Sequence, residues 1–185
     1  MTAQRFPSWN QDRLIHGYWV LDGRLLAGEY PGSPDPDKAR RKIAALTDAG
    51  VTSFVDLTEA GEPAGGGQPM LPYDHLLPAE VRYRRFPIPD CGVIDDDGYD
   101  EILAYIDSEI AGGAGVFVHC WGGKGRTGTV VGSWLIDNDG VEFPDVLHRM
   151  QELRRGTKKA HQSVPDTPEQ HRVLRRRAQA KAARR

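Results

Sequence analysis

An apolar segment that runs through a glycine-rich loop into a helix-like segment, residues 115–138, most restricts the fold of this chain. It begins GVFVHC, continues WGGKG and ends RTGTVVGSWLIDN. A short continuous apolar run is typical of a strand buried on both faces of a sheet, and glycines favour a tight turn after it. The loop is therefore expected at the carboxyl end of a buried strand, where open α/β sheets bind ligands and where a helix N-terminus favours an anion.

The rest of the chain alternates between strand-like and helix-like segments. A hairpin is predicted around Asp22-Gly23, with further strands at VTSFVDL and VRYRRFPI and a long Gly/Pro-rich loop over 59–78. The first helix is expected after a cap at Ser33 or Asp35, and four more follow. This order indicates an α/β fold with a central, mostly parallel sheet flanked by helices, in a single domain over 1–185.

Composition narrows the class of protein. We find no run of eighteen apolar residues and no leader-like N-terminus, so a cytoplasmic chain without a membrane span is expected. Its two cysteines, Cys91 and Cys120, are expected to be free thiols. The formal net charge is −2, but residues 172–185 are strongly basic. That end is interpreted as a solvated helix end rather than an arm for nucleic acid or anionic lipid, so no nucleic-acid partner is expected.

Three phosphate-binding patterns compete for the glycine-rich loop. A Walker loop fails because Val118 occupies its first glycine position and Gly125 follows Lys124. A dinucleotide fingerprint matches in its glycines, but the second strand that it requires is absent from the predicted order. The third pattern is a cysteine followed six positions later by an arginine, Cys120 and Arg126. It is the one that fits the surrounding residues.

The chemistry of this third pattern is phosphoryl transfer to sulfur. Backbone N–H groups and the positive helix end stabilise an anionic sulfur at Cys120, which makes it a nucleophile. Arg126 is expected to bind two phosphate oxygens, and His119 and Thr127 are expected to support the loop and the sulfur. Glycines on the concave side would leave room for the ligand. The predicted phosphate-binding set is Trp121, Gly122, Gly123, Lys124, Gly125 and Arg126.

An acid for the leaving oxygen is predicted on a separate loop, RFPIPDCGVIDDDG. Asp90 follows a Pro-flanked strand end and is the candidate. Asp95, Asp96 and Asp97 are rivals, but they directly precede a helix and look like a cap cluster. Cys91, next to Asp90, is either a packing residue or a thiol that captures oxidised Cys120.

The segments VHCWGGKGRTG and PIPDCGV resemble the protein tyrosine phosphatase superfamily, in its small dual-specificity-like branch, over about residues 14–175. The resemblance implies a protein tyrosine phosphatase-like fold with Cys120 as nucleophile, Arg126 as phosphate binder and Asp90 as general acid and then base. It also suggests that Gln170, in TPEQHRVL, positions the hydrolytic water. A plain surface glutamine beside Glu169 is the alternative for that residue.

The expected function is a phosphatase that hydrolyses phosphotyrosine, and also phosphoserine or phosphothreonine, in proteins. Lys124 within GKGRTG resembles lipid phosphatases, so a phosphoinositide substrate is an alternative, and a phosphate-binding module without turnover is a second one. Neither a cofactor nor a metal is expected, because the histidines show no ligand spacing. Asp56 or Glu59, at the end of a strand, is a candidate brace for Arg126, although a turn cap is the preferred interpretation.

Overall fold

The structure is a computed structural model that describes residues 9–64 and 67–184. The predicted domain also includes 1–8, 65–66 and 185, which lie outside the described residues. Within the described part, the strands and helices in chain order are β1 (Gly17–Leu21), β2 (Leu25–Gly28), α1 (Pro36–Asp48), β3 (Val51–Asp56), β4 (Arg82–Arg85), α2 (Asp96–Ala111), β5 (Gly115–His119), α3 (Gly125–Asn138), α4 (Asp145–Leu153) and α5 (Pro168–Ala183).

The strands form one mixed sheet in the order β1-β2-β5-β3-β4. Strand β5 lies in the middle and pairs in parallel with β2 and β3, while β4 pairs in parallel with β3. Only the β1–β2 hairpin is antiparallel among the described strands. The predicted hairpin and the mostly parallel sheet are therefore confirmed, and the central position of β5 explains why all five of its residues are buried.

The two faces of the sheet carry separate hydrophobic cores. Side chains alternate along β5, so that Val116 and Val118 join the larger core with α2, α3, α4 and α5, whereas Phe117 joins the smaller core on the α1 side. Helix α3 is buried from Gly125 to Ile136 because α5 covers it. A Cβ at Gly132 would lie 2.8 Å from the methyl groups of Leu174, so α3 and α5 approach closely where α3 carries glycine.

Side-chain caps define where three of the helices begin. Asp35, one of the two predicted caps of α1, accepts hydrogen bonds from the N–H groups of Asp37 and Lys38. Asp95 accepts one from Gly98 at the start of α2, and Thr167 and Gln170 form a reciprocal capping box at the start of α5. These contacts satisfy N–H groups that a helix start leaves without a partner.

The basic end of the chain continues α5 up to the last described turn. Arg177 is 8% exposed and binds Asp100 and Asp137, while Arg176 binds Asp96. The structure thus places this end against acids of α2 and α3 rather than in a separate arm or a fully solvated helix end. Across residues 9–64 and 67–184, no helix is both long and apolar enough to cross a membrane.

Candidate active site

The loop between β5 and α3 turns two of its carbonyl groups away from the cleft. Trp121 O accepts a hydrogen bond from the N–H of Tyr30 at 3.0 Å, and Gly122 O accepts one from Lys159 Nζ at 2.8 Å. In a trans peptide the C=O and the following N–H point in opposite directions. The N–H groups of Gly122 and Gly123 therefore point away from Tyr30 and Lys159, neither of which lines the cleft described next.

A cleft of about 330 Å³ opens at this loop. Its lining includes the loop residues 120–122 and 124–126, Asp90 and Cys91 from the preceding loop, and Asp166 and Gln170 at the start of α5. The structure thus brings Cys120, Arg126 and Asp90 together. Cys120 is 3% exposed at this site, so its sulfur is reached only through the cleft.

Arg126 lies in the first turn of α3, is 2% exposed and is bound by two carboxylates. Its Nη1 and Nη2 donate to the two carboxylate oxygens of Glu62 at 2.7 and 2.8 Å, and Nη1 also donates to Ile88 O at 3.1 Å. Asp90 Oδ1 lies 3.0 Å from Nη2. Burial alone would lower the pKa of Arg126, but the negative charges of Glu62, Cys120 and Asp90 raise it above its usual value.

Glu62 is a residue that the sequence analysis missed, and neither candidate brace contacts Arg126; Asp56 instead caps the following turn, which was the preferred interpretation. Asp56 is buried but accepts hydrogen bonds from Thr58, Tyr83 and Arg85 instead of Arg126. The Glu59 side chain is exposed, and its N–H donates to Glu62 Oε2 at 2.8 Å. The turn from 59 to 62 brings Glu62, rather than the strand end, against the guanidinium.

Asp90 lies at the tip of a tight turn after β4. Gly92 N–H donates to Pro89 O at 2.9 Å, and Cys91 between them has a φ of 57° in the left-handed region. The Asp90 side chain is 66% exposed, so it reaches solvent while it contacts Arg126. Among its predicted rivals, Asp95 caps α2 and Asp96 binds Arg176, which places their carboxylates in other contacts.

His119 lies behind the loop, as expected, and is fully buried. Its Nδ1–H donates to Cys120 O at 3.3 Å, and Nε2 accepts from the Tyr73 hydroxyl at 2.5 Å. Burial lowers the pKa of His119, which keeps the ring neutral and suits one donor and one acceptor nitrogen. Thr127 Oγ1 is buried and has no hydrogen-bond partner among the described residues.

Two of the loop glycines lie in close contact with other parts of the chain. Gly123 has a φ of 71°, and a Cβ there would lie 2.5 Å from the backbone of Gly28. A Cβ at Gly125 would lie 3.0 Å from the Gln170 amide. Close contact with β2 and α5 is therefore a second reason for glycine at these two positions, and clearance for the ligand stays a prediction.

Lys124 and Trp121 take different places at the cleft. Lys124 Nζ lies 3.0 Å from Asp166 Oδ1, and both side chains are partly exposed at the cleft. Lys124 therefore lines the cleft beside Asp166. Trp121 also lines the cleft and is 43% exposed.

Gln170 is fully buried, so the surface alternative for this residue is wrong. Its Oε1 accepts from the N–H groups of Asp166 and Thr167, both at 3.1 Å. Its Nε2 donates to Gly92 O at 3.2 Å. Gln170 thus connects the start of α5 with the turn that carries Asp90.

Cys91 lies at the same cleft as Cys120, but its thiol is disfavoured as a thiolate. The negative charge of Asp90, with a smaller effect of burial, raises the pKa of Cys91 above its usual value. Its capture of an oxidised Cys120 stays a prediction. In the described part of the chain, no group of three or more His, Cys, Asp or Glu side chains is arranged to hold a metal ion.

Comparison with known proteins identifies the family. Residues 31–140, more than half of the chain, match the family model described as Tc-R-P, polymorphic toxin system, DSP-PTPase phosphatase. The chain belongs to this family. The predicted resemblance to the protein tyrosine phosphatase superfamily, in its dual-specificity branch, is thereby confirmed.

Two curated relatives match shorter stretches. Dual specificity protein phosphatase 1B of Arabidopsis thaliana is 32% identical over 68 residues, 37% of each chain. The uncharacterized protein MJECL20 of Methanocaldococcus jannaschii is 39% identical over 67 residues, 36% of this chain and 45% of that protein. The matches therefore cover less than half the length of these relatives.

Solved structures confirm the fold over most of the chain. Tk-PTP in its active form is 26% identical with a TM-score of 0.61, over 88% of this chain and 96% of that one. Kinase associated phosphatase, with its catalytic-site cysteine replaced by serine, gives a TM-score of 0.68 at 18% identity, over 91% and 97%. PTPMT1 in complex with PI(5)P gives a TM-score of 0.66 at 18% identity, over 91% of this chain and 97% of that one. The fold class predicted from the sequence is the observed one.

Proposed function

We propose that this chain hydrolyses phosphomonoesters through a cysteinyl-phosphate intermediate. The observation that carries the proposal is the meeting of a buried cysteine, a buried arginine and an aspartate at one cleft, Cys120, Arg126 and Asp90. These three groups supply a nucleophile, a bidentate oxyanion ligand and a proton donor, which are the parts that phosphoryl transfer to sulfur needs.

In the first step, the loop N–H groups and Arg126 bind the three non-bridging oxygens of the phosphate. Cys120 Sγ attacks phosphorus, the bond from phosphorus to the ester oxygen breaks, and protonated Asp90 gives its proton to the leaving oxygen. Substrate binding exchanges the contact between Asp90 and Arg126, 3.0 Å long, for phosphate on the guanidinium.

In the second step, water attacks the phosphorus of the cysteinyl phosphate and releases inorganic phosphate and the Cys120 thiolate. The Asp90 carboxylate takes the proton of the water, which restores its acid form. The unpartnered hydroxyl of Thr127 is available to donate a hydrogen bond to the departing sulfur. Gln170, which lines the cleft beside the Asp90 turn, is the candidate for orienting the water.

The proposed substrates are singly phosphorylated side chains of proteins, with phosphotyrosine first. Lys124 supports this choice because Asp166, 3.0 Å away, neutralises its charge. The two cleft cations, Arg126 and Lys124, are matched by the carboxylates of Glu62, Asp90 and Asp166. A second phosphate group on a ligand would therefore find no unpaired cation among these residues, and it would meet the carboxylate of Asp166.

A phosphoinositide remains the second candidate, since Lys124 lies in the loop and PTPMT1, a protein of the same fold, has been seen in complex with PI(5)P. Replacing Asp166 by Asn separates the two substrates. If the pairing governs selectivity, the ratio of kcat/KM for a vicinal inositol bisphosphate over a phosphotyrosine peptide rises about tenfold, and the added change Lys124→Met removes the gain. The control Asp22→Asn, at an exposed turn, leaves the ratio unchanged.

Phosphate release from para-nitrophenyl phosphate tests the core of the proposal. Cys120→Ser should abolish turnover while inorganic phosphate still binds, and EDTA should leave the activity of the unsubstituted chain intact. Full activity of Cys120→Ser would exclude the covalent mechanism. Phosphate binding without turnover by the unsubstituted chain would indicate a binding module instead.

A further inference from the structure

We infer that Lys159, which lies behind the anion-binding loop, is a positioning residue that fixes the orientation of the Gly122–Gly123 peptide for phosphate binding. The inference rests on the proposed function, because it concerns the same loop. Lys159 belongs to the segment between α4 and α5, far from the loop in sequence. It does not line the cleft and acts on a bound phosphate only through the backbone.

The contacts of Lys159 connect the loop to an anchored carboxylate. Its Nζ lies 2.8 Å from Gly122 O and 2.7 Å from Glu29 Oε2, with 19% of the side chain exposed. Glu29 directly follows β2 and also accepts from the His16 N–H at 3.0 Å. Burial would raise the pKa of Glu29, but the hydrogen bonds from Lys159 and His16 and the charges of both lysines lower it to about 2. The carboxylate that holds Lys159 is therefore ionised throughout the neutral range.

The peptide that Lys159 contacts has glycine on both sides. Glycine on both sides of this peptide removes the Cβ atoms that would select one pair of flanking torsions, and Gly123 already adopts a φ of 71°. The preceding carbonyl, Trp121 O, is held by a backbone N–H of Tyr30, whereas Gly122 O is held by a side chain. Lys159 therefore selects the orientation of this one peptide.

The orientation of this peptide decides whether its N–H group or its carbonyl oxygen faces the phosphate. With Gly122 O bound to the ammonium of Lys159, the N–H of Gly123 points to the opposite side of the loop from Lys159, and we expect it to donate to an anion bound there. A rotated peptide would present the carbonyl oxygen to the anion instead. Loss of one donor from an oxyanion site typically lowers the rate 100- to 1000-fold. The loss of rate is smaller if the peptide still samples the correct orientation part of the time.

Lys158 offers a matched control. Its Nζ binds the other oxygen of Glu29 at 3.1 Å, but its hydrogen bonds do not include the loop. The backbone N–H of Lys158, which donates to Asp12 Oδ2, is preserved in any side-chain variant. The two lysines thus carry the same charge on the same carboxylate and differ in the contact with Gly122 O.

The experiment compares Lys159→Met, Lys158→Met and Lys159→Arg. In a Cys120→Ser background, calorimetry gives the dissociation constant of inorganic phosphate, and in the chain with Cys120, turnover of para-nitrophenyl phosphate gives kcat and KM. We expect Lys159→Met to weaken phosphate binding and to lower kcat/KM by about 10- to 100-fold. Lys158→Met should change both by less than threefold, and Lys159→Arg, which keeps charged donors, should recover most of the loss.

Equal effects of the two Met variants, or unchanged phosphate affinity in Lys159→Met, would overturn the inference. Should Lys159→Met not fold, the ¹⁵Nζ resonances of the unsubstituted chain decide: saturation with inorganic phosphate should shift the signal of Lys159 and leave that of Lys158, and equal shifts would refute the positioning role. If the unsubstituted chain shows no turnover, the proposed function fails, whereas the phosphate-binding comparison still tests Lys159.

Discussion

Replacing Glu62 by Gln is expected to reduce both the stability of the fold and the activity, because Glu62 holds Arg126, the arginine proposed to bind the phosphate. The two side chains form a bidentate pair at 2.7 and 2.8 Å, with 2% of Arg126 and 5% of Glu62 exposed. Glutamine keeps one acceptor oxygen and presents an NH₂ group to the second guanidinium nitrogen. The buried positive charge then loses its closest countercharge.

The size of the effect follows from this burial. Removing one partner of a buried ion pair costs about 3 to 5 kcal/mol, and the lower end applies here because Ile88 O and Asp90 still contact the guanidinium. A loss of about 3 kcal/mol lowers the melting temperature of a domain of this size by about 6 to 12 °C. We also expect kcat/KM to fall about tenfold or more, since an arginine without its fixed orientation binds the transferring phosphoryl group less well.

Urea unfolding followed by tryptophan fluorescence and turnover of para-nitrophenyl phosphate measure the two effects. The matched control is Glu59→Gln in the same turn, because this side chain is exposed and the hydrogen bonds of Glu59 with Glu62 come from its backbone. The free energy of unfolding of the control should lie within about 0.5 kcal/mol of that of the unsubstituted chain. Equal stability and equal kcat/KM for the two variants would refute the reasoning.

Two further predictions concern proton transfer and acid stability. Asp90→Asn should lower kcat about 100-fold for tyrosyl phosphates but much less for para-nitrophenyl phosphate, whose leaving group needs little protonation; equal losses would point to a folding role. The pKa of Glu29 is lowered from 4.5 to about 2 in the folded chain, so its stabilisation is present above pH 4.5 and is lost as the pH falls towards 2. Glu29→Gln should therefore be less stable at pH 7 and lose less stability between pH 4.5 and 2, whereas parallel curves would contradict this.

The fold was predictable where the pattern is local. The apolar run at 115–119 is a central strand because parallel pairing buries it on both faces, and Asp35 precedes a helix whose first N–H groups need an acceptor. The end of α5 was less predictable. Whether Arg176 and Arg177 meet solvent or acids depends on where α2 and α3 lie, and neither composition nor periodicity contains that information.

In the site, too, local features were predictable from the sequence and long-range contacts were not. Cys120 and Arg126 belong to one loop and one helix turn, so their spacing together with the glycines between them predicts that they meet. Glu62 reaches Arg126 across 64 positions, and Lys159 reaches Gly122 across 37. Glu62 lies in the Gly/Pro-rich loop after β3, and Lys159 lies between α4 and α5. Neither segment has a periodic pattern from which the direction of its side chains could be predicted. Such long-range contacts require the three-dimensional arrangement.

The hydrogen bond from Gln170 to Gly92 O connects α5 with the turn that carries Asp90. The amide that donates to Gly92 also accepts from the first residues of the last helix, so the turn and that helix share one side chain. A single amide hydrogen bond contributes about 1 kcal/mol, which corresponds to a roughly fivefold population ratio. Loss of this one contact would leave both acceptor contacts of Gln170 in place, so the turn that carries Asp90 can be displaced without loss of the cap of α5.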